Sequence, residues 1–244
     1  ARTRANLAMM TKLIKGLGDA ANEALTVTGA CAAAGMVIAV VLLTGLGVKI
    51  GNLVMYLSAG NLGLALIFIM LASLVLGMGL PTIVCYILLA VTTAPPLIQM
   101  GVPPMAAHFF IFYFGMLSMV TPPVGMAFYA GAALAGADTM RTGWTAWKIS
   151  LASFLVPYAF VYNPSLLWMG NVSDAILSGI TSVIGATALA VGVVGYIKRP
   201  LGALERIAAI AAALLLIKPG WITDLIGVVI VVILLFLQRK KGTT

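Results

Sequence analysis

Between Lys49 and Asp138 the chain carries no lysine, arginine, aspartate or glutamate, and His108 is the one side chain in that interval that titrates near neutral pH. At about 20 residues per bilayer crossing, the interval has room for several crossings. The rest of the chain agrees. Over its 244 residues it is 62% hydrophobic and 8% charged, with a mean hydropathy of +1.14, whereas soluble domains are about 25% charged. The expected fold class is an all-α polytopic membrane protein, which excludes nucleic-acid binding and soluble enzymology. The net charge of +8 then bears on topology and on anionic membrane lipid.

The remaining segments follow from hydrophobic length. Residues 1–26 mix Arg2, Arg4, Lys12, Lys15, Asp19 and Glu23 with apolar residues at helical spacing, which reads as an amphipathic cytoplasmic arm or as a solvated connector. Residues 27–60 hold a span at 28–48 and a connector. Residues 61–140 contain two interrupted segments, 61–102 around GMGLPT and 104–137 around VTPPVG. Residues 141–200 supply two further spans, 149–167 and 173–196. In 201–244 the hydrophobic stretch 203–238 is split by IKPGW, favouring a helical hairpin over one kinked segment, and a basic tail follows. With each basic cluster (the arm, Arg141 with Lys148, Lys198-Arg199 with Arg206, and Arg239-Lys240-Lys241) on the cytoplasmic side, an even number of crossings separates successive clusters, and both termini are cytoplasmic. Lys49 alone falls at an outer end. The opening Ala-Arg-Thr-Arg, with no signal-peptide pattern before the first span, suits a piece of a longer protein.

The two interruptions carry the functional content. After Thr121-Pro122-Pro123-Val124-Gly125 only 12 residues precede Asp138, roughly 18 Å of helix against a core of about 30 Å. Residues 104–137 are therefore one crossing, broken in its middle by two prolines that remove backbone donors. A proline kink healed by neighbouring helices is the plainer alternative. The flanks of GMGLPT, 61–78 and 82–100, could each cross. The turn lacks the Asn, Asp, Ser or Lys usual in water, which favours a re-entrant hairpin over two full spans. Both readings give the same topology.

Discontinuous helices at mid-membrane are where secondary transporters place their sites. Carbonyls at a half-helix end attract a cation, and N–H groups at a half-helix start attract an anion. The candidate Na⁺ residues are Gly77, Gly79, Leu80, Thr82, Thr121 and Val124. Thr82, Pro122 and Gly125 are the candidate substrate-facing residues, Gly125 allowing close backbone approach.

GMGLPT followed by TPPVG and then GAALAGAD resembles the large membrane subunit of tripartite ATP-independent periplasmic (TRAP) transporters, most closely the fused permeases served by TAXI-type binding proteins. The resemblance covers roughly residues 1–170. It implies a sodium-driven elevator-type importer of small organic anions such as dicarboxylates, in a bacterial or archaeal cytoplasmic membrane. The partners implied are a TAXI-type periplasmic binding protein, the N-terminal remainder of the permease with its first repeat, and lipid. Na⁺ is the coupling ion and no other cofactor is implied. By position, Gly77, Thr121 and Val124 would hold the sodium ion. Many members have an acidic residue before the proline of the hairpin tip. Leu80 stands there in this chain, which leaves carbonyls and the hydroxyl of Thr82 or Thr121 to coordinate.

A non-transporting membrane scaffold is the competing reading. An enzyme is not expected, since no nucleotide motif and no Ser/His, His-Glu-x-x-His or paired-aspartate set lies at membrane depth. Cys31 and Cys85 in apolar runs read as small core residues, and two thiols with one histidine are too few for a metal site. His108 reads as an interfacial histidine, with proton coupling as the alternative. Trp144, Trp147, Trp168 and Trp221 read as belt residues, Asp138 with Arg141 as a cytoplasmic helix end, and the small residues of 130–137 as a close-packing surface.

Overall fold

The computed structural model describes residues 2–217 and 220–240. The side chains of Arg2, Arg4, Glu23 and Cys31, residues 218–219 of IKPGW and the tail charges Arg239 to Lys241 lie outside the described part. Two compact units are present, residues 1–46 and 47–244.

The first unit is one helix, α1 (Arg2–Leu43). The amphipathic arm and the first apolar stretch are thus continuous. No proline or glycine pair separates them, and Thr28 folds its hydroxyl back onto the Ala24 carbonyl (2.8 Å) without breaking the ladder. The helix stops where Thr44 bonds back to Val40 and Gly45 takes a positive φ of 63°.

The second unit begins with α2 (Leu46–Ser58), α3 (Leu62–Gly77), α4 (Thr82–Thr92), α5 (Ala94–Gln99) and α6 (Pro104–Leu117). Asn61 caps α3 by accepting from Leu64 N, and Pro104 starts α6 where its missing N–H costs nothing. A 3₁₀ turn, Ser118–Val120, ends α6, and α7 (Met126–Ala135) begins after five non-helical residues. Helix α6 is the hub: α3, α4 and α9 (Val156–Tyr162) pack around it. Phe110 and Phe114 are fully buried on α6, and both meet Tyr158 of α9 edge-on at ring centroid distances of 5.3 and 5.9 Å.

Between α7 and α9 lies α8 (Thr139–Ser150), N-capped by Asp138, whose carboxylate accepts from Arg141 N at 2.8 Å. The stretch 149–167 is not one regular α-helix. A 3₁₀ turn (Leu151–Leu155), α9 and a second 3₁₀ turn (Pro164–Leu167) divide it, because Pro157 and Pro164 supply no donor and each sits in the opening turn of a new segment. Next come α10 (Val172–Val194), α11 (Ala203–Ile217) and α12 (Trp221–Lys240), packed in sequence, so that α11 and α12 form a helical pair. Gly185 and Gly192 of α10 face Leu216 and Ile210 of α11, and Gly227 of α12 faces Leu216. Small residues thus let these three helices pack closely. Gly131, in the 130–137 run, has nothing within 4 Å of where a side chain would begin.

Helix α10 and residues Trp221–Gln238 of α12 are each long and apolar enough to cross a membrane. Large apolar side chains point outward elsewhere too, Ile149 at 72% and Leu134 at 92% exposure among them. A water-facing surface does not carry such patches, whereas lipid accepts them. Trp144, Trp168 and Trp221 are exposed as well.

Candidate functional site

The two sequence interruptions meet in space. Helix α3 ends at Gly77, and the chain reverses through Met78–Pro81 into α4, with Gly79 at φ 73°. A Cβ placed on Gly77 would stand 2.5 Å from Ser118 Oγ and 2.8 Å from Cys85 Sγ. Only glycine lets the end of α3 lie this close to the end of α6. One placed on Gly79 would touch Val124 Cγ1 at 3.4 Å. Thr82, at the start of α4, donates its hydroxyl to Met119 Sδ at 3.5 Å.

Backbone polarity follows from these contacts. The carbonyl-bearing ends of α3 and of the α6–3₁₀ segment lie side by side at Gly77 and Ser118, each the negative end of a helix dipole. In the first turn Gly77 O is satisfied by Leu80 N (3.3 Å). Among the described residues no hydrogen bond reaches the carbonyls of Met78, Gly79 and Leu80, nor those of Thr121, Pro122 and Val124. Pro123 O accepts from Tyr129 OH at 3.0 Å. The positive starts of α4 (Thr82) and α7 (Met126) border the same region.

The individual residues divide by surroundings. Thr121 is buried and its hydroxyl donates to Leu117 O (2.8 Å), leaving oxygen lone pairs. Gly125 is buried: a Cβ there would collide with the Met119 carbonyl and lie 2.6 Å from a Phe128 ring carbon. Its place is thus a backbone crossing rather than an open surface. Gly79 and Val124 are exposed, while Leu80, Thr82 and Pro122 are half-buried. Sequence reasoning missed Ser118 and Met119, the two residues through which the breaks touch, and Gly115, where a Cβ would stand 2.9 Å from Cys85 Sγ. A small-residue column, Cys85 against Gly77 and Gly115, was the available signal. His108 Nδ1 lies 3.1 Å from Tyr86 OH, linking α4 to α6. Among the described residues no cluster of three or more His, Cys, Asp or Glu side chains could hold a metal.

An all-helical chain with lipid-facing apolar surfaces and two interrupted segments joined at their breaks belongs to the class of polytopic α-helical membrane proteins. Within that class, the family model for the tripartite ATP-independent periplasmic transporter DctM component matches residues 4–175. The chain belongs to that family and is a membrane component of a TRAP transporter, a system that also includes a periplasmic binding protein. No curated protein and no solved structure matches it.

Proposed function

We propose that this chain is the part of a sodium-coupled importer that holds the coupling ion, and that the cargo is a small organic anion, dicarboxylates being the first class to test. The observation that carries this reading is the meeting of two carbonyl-bearing helix ends at Gly77 and Ser118, beside carbonyls of the two breaks without hydrogen bonds. Such a place favours a small cation of modest charge density without requiring a buried carboxylate. The carbonyls of residues 78–80, 121 and 124, with the Thr82 and Thr121 hydroxyl oxygens, are the proposed ligand pool. Leu80, standing where the family resemblance implies an acid in many members, fits a site built from neutral oxygens. The N–H groups that open α4 and α7 lie where a substrate carboxylate would be received. A TAXI-type periplasmic protein would deliver it.

The test is uptake of labelled dicarboxylates into proteoliposomes by the assembled transporter with its binding protein. Uptake is expected to require an inward sodium gradient and to be lost in Thr121→Ala while the protein still inserts. Uptake driven by a proton gradient and indifferent to Thr121 would overturn the sodium site and turn attention to the Tyr86–His108 pair.

A further inference from the structure

We propose that the cleft between α8, α10 and α11 is a binding site for the headgroup of an anionic phospholipid. The inference rests on the chain being a membrane protein and is independent of the transport reading. The cleft has a volume of about 570 Å³, and its lining includes Trp147, Lys148, Ile149, Leu151, Arg206 and Ile210. That volume falls in the range of roughly 300–1,000 Å³ common for small-ligand sites. Among the described residues two cations line the cleft and no carboxylate does.

Arg206 is fixed in place. Its Nε donates to Gly192 O at 2.9 Å and its Nη2 to Val193 O at 2.8 Å, so the guanidinium lies across the last turn of α10, where a cation complements the helix dipole. Those two bonds use two of the five N–H donors of the planar fork, leaving the others for an acceptor in the cleft. The neighbouring carboxylate, Glu205, is paired with Arg199 at 2.5 Å. Across the cleft Lys148, in the last turn of α8, makes no ion pair or hydrogen bond among the described residues and is exposed.

The surroundings select a lipid over a free anion. Trp147 stacks edge-on with Trp144 at a centroid distance of 5.7 Å, the pairing of amphipathic rings expected at headgroup level. Ile149, Leu151 and Ile210 continue the cleft as an apolar rim, Ile149 being 72% exposed. A polar floor with one fixed guanidinium and one free ammonium, opening onto apolar side chains, is complementary to a phosphate ester carrying acyl chains.

The experiment presents the full chain in detergent with phosphatidylglycerol or phosphatidylcholine of equal chain length and counts retained lipid by native mass spectrometry. Phosphatidylglycerol is expected to be retained at least about fivefold over phosphatidylcholine, and Lys148→Gln to lower that retention about fivefold, the weight of one interfacial cation. Arg141→Gln, outside the cleft, is expected to leave it unchanged. Arg206→Gln also removes a cap from α10, so Lys148→Gln, whose side chain supports no other contact of this kind, carries the decision. Equal retention of the two lipids, or equal effects of Lys148→Gln and Arg141→Gln, would overturn the proposal in favour of diffuse attraction. Displacement of phosphatidylglycerol by millimolar inorganic phosphate would overturn it in favour of a soluble-anion site.

Discussion

At Gly125 the neighbour that forbids a side chain is a backbone carbonyl, that of Met119. A carbonyl cannot swing aside as the end of a side chain can, so Gly125→Ala must displace the chain itself. The cost is expected to be about 1–3 kcal/mol, the range for overpacking, read as a lowered thermal unfolding midpoint in detergent. Gly131→Ala is the internal control. It lies inside α7 with nothing within 4 Å and is expected to be neutral or to raise stability by up to about 1 kcal/mol, from helix propensity. A midpoint that falls equally for both would refute the backbone crossing at Gly125. The pattern Pro-Pro-Val-Gly marks this glycine as a place of close backbone approach. The atom approached is not legible in the sequence, because nothing about Met119 distinguishes its carbonyl from those on either side.

Among the elements, the breaks were legible where chemistry forces them, at Gly-Met-Gly-Leu-Pro and Thr-Pro-Pro, since glycine and proline act on their own backbone whatever surrounds them. Boundaries inferred from composition alone need not coincide with helix ends. The change from mixed to apolar residues near position 27 is a change of solvent, not of dihedral angle, and α1 runs through it. The 149–167 stretch has the length of a span, yet Pro157 and Pro164 partition it. That two breaks some forty residues apart touch could not be read from either one, since contact between them depends on α4 and α6 packing together. Cys85, 1% exposed and pressed against Gly77 and Gly115, sits inside that contact and reports on it. In a Cys31→Ser background, Cys85 is expected to react with N-ethylmaleimide far more slowly than in the denatured chain. Gly115→Ala, which pushes on the sulfur from α6, is expected to speed the reaction. Equal labelling of native and denatured protein would mean that the α3–α4 turn and the α6–α7 break do not pack against each other.

On the scale of the whole molecule, the family match ends at residue 175, and past it α10, α11 and α12 interlock through Gly185, Gly192 and Gly227, while α10 also packs on the 3₁₀ turns that flank α9. A ring of polar bonds closes their end. Glu205 accepts from Arg199, from Gly202 N (3.0 Å) and from the buried Gln238 (3.3 Å), which ties α12 to the turn between α10 and α11. Stability of this bundle and the proposed ion binding at the breaks are expected to be separable. Gly192→Leu, which drives a side chain into Ile210 of α11, is expected to lower the thermal midpoint by several degrees, at roughly 2–4 °C per kcal/mol for a chain of this size. The further rise in midpoint on adding saturating sodium should survive, because ligand stabilisation depends only on concentration over dissociation constant. Thr121→Ala should do the reverse, leaving the midpoint in potassium within a few degrees of wild type and abolishing the sodium-induced rise. If Gly192→Leu also erased the sodium response, the C-terminal bundle would have to be coupled to the proposed ion site, and the tail would be part of the transport machinery rather than a support for it.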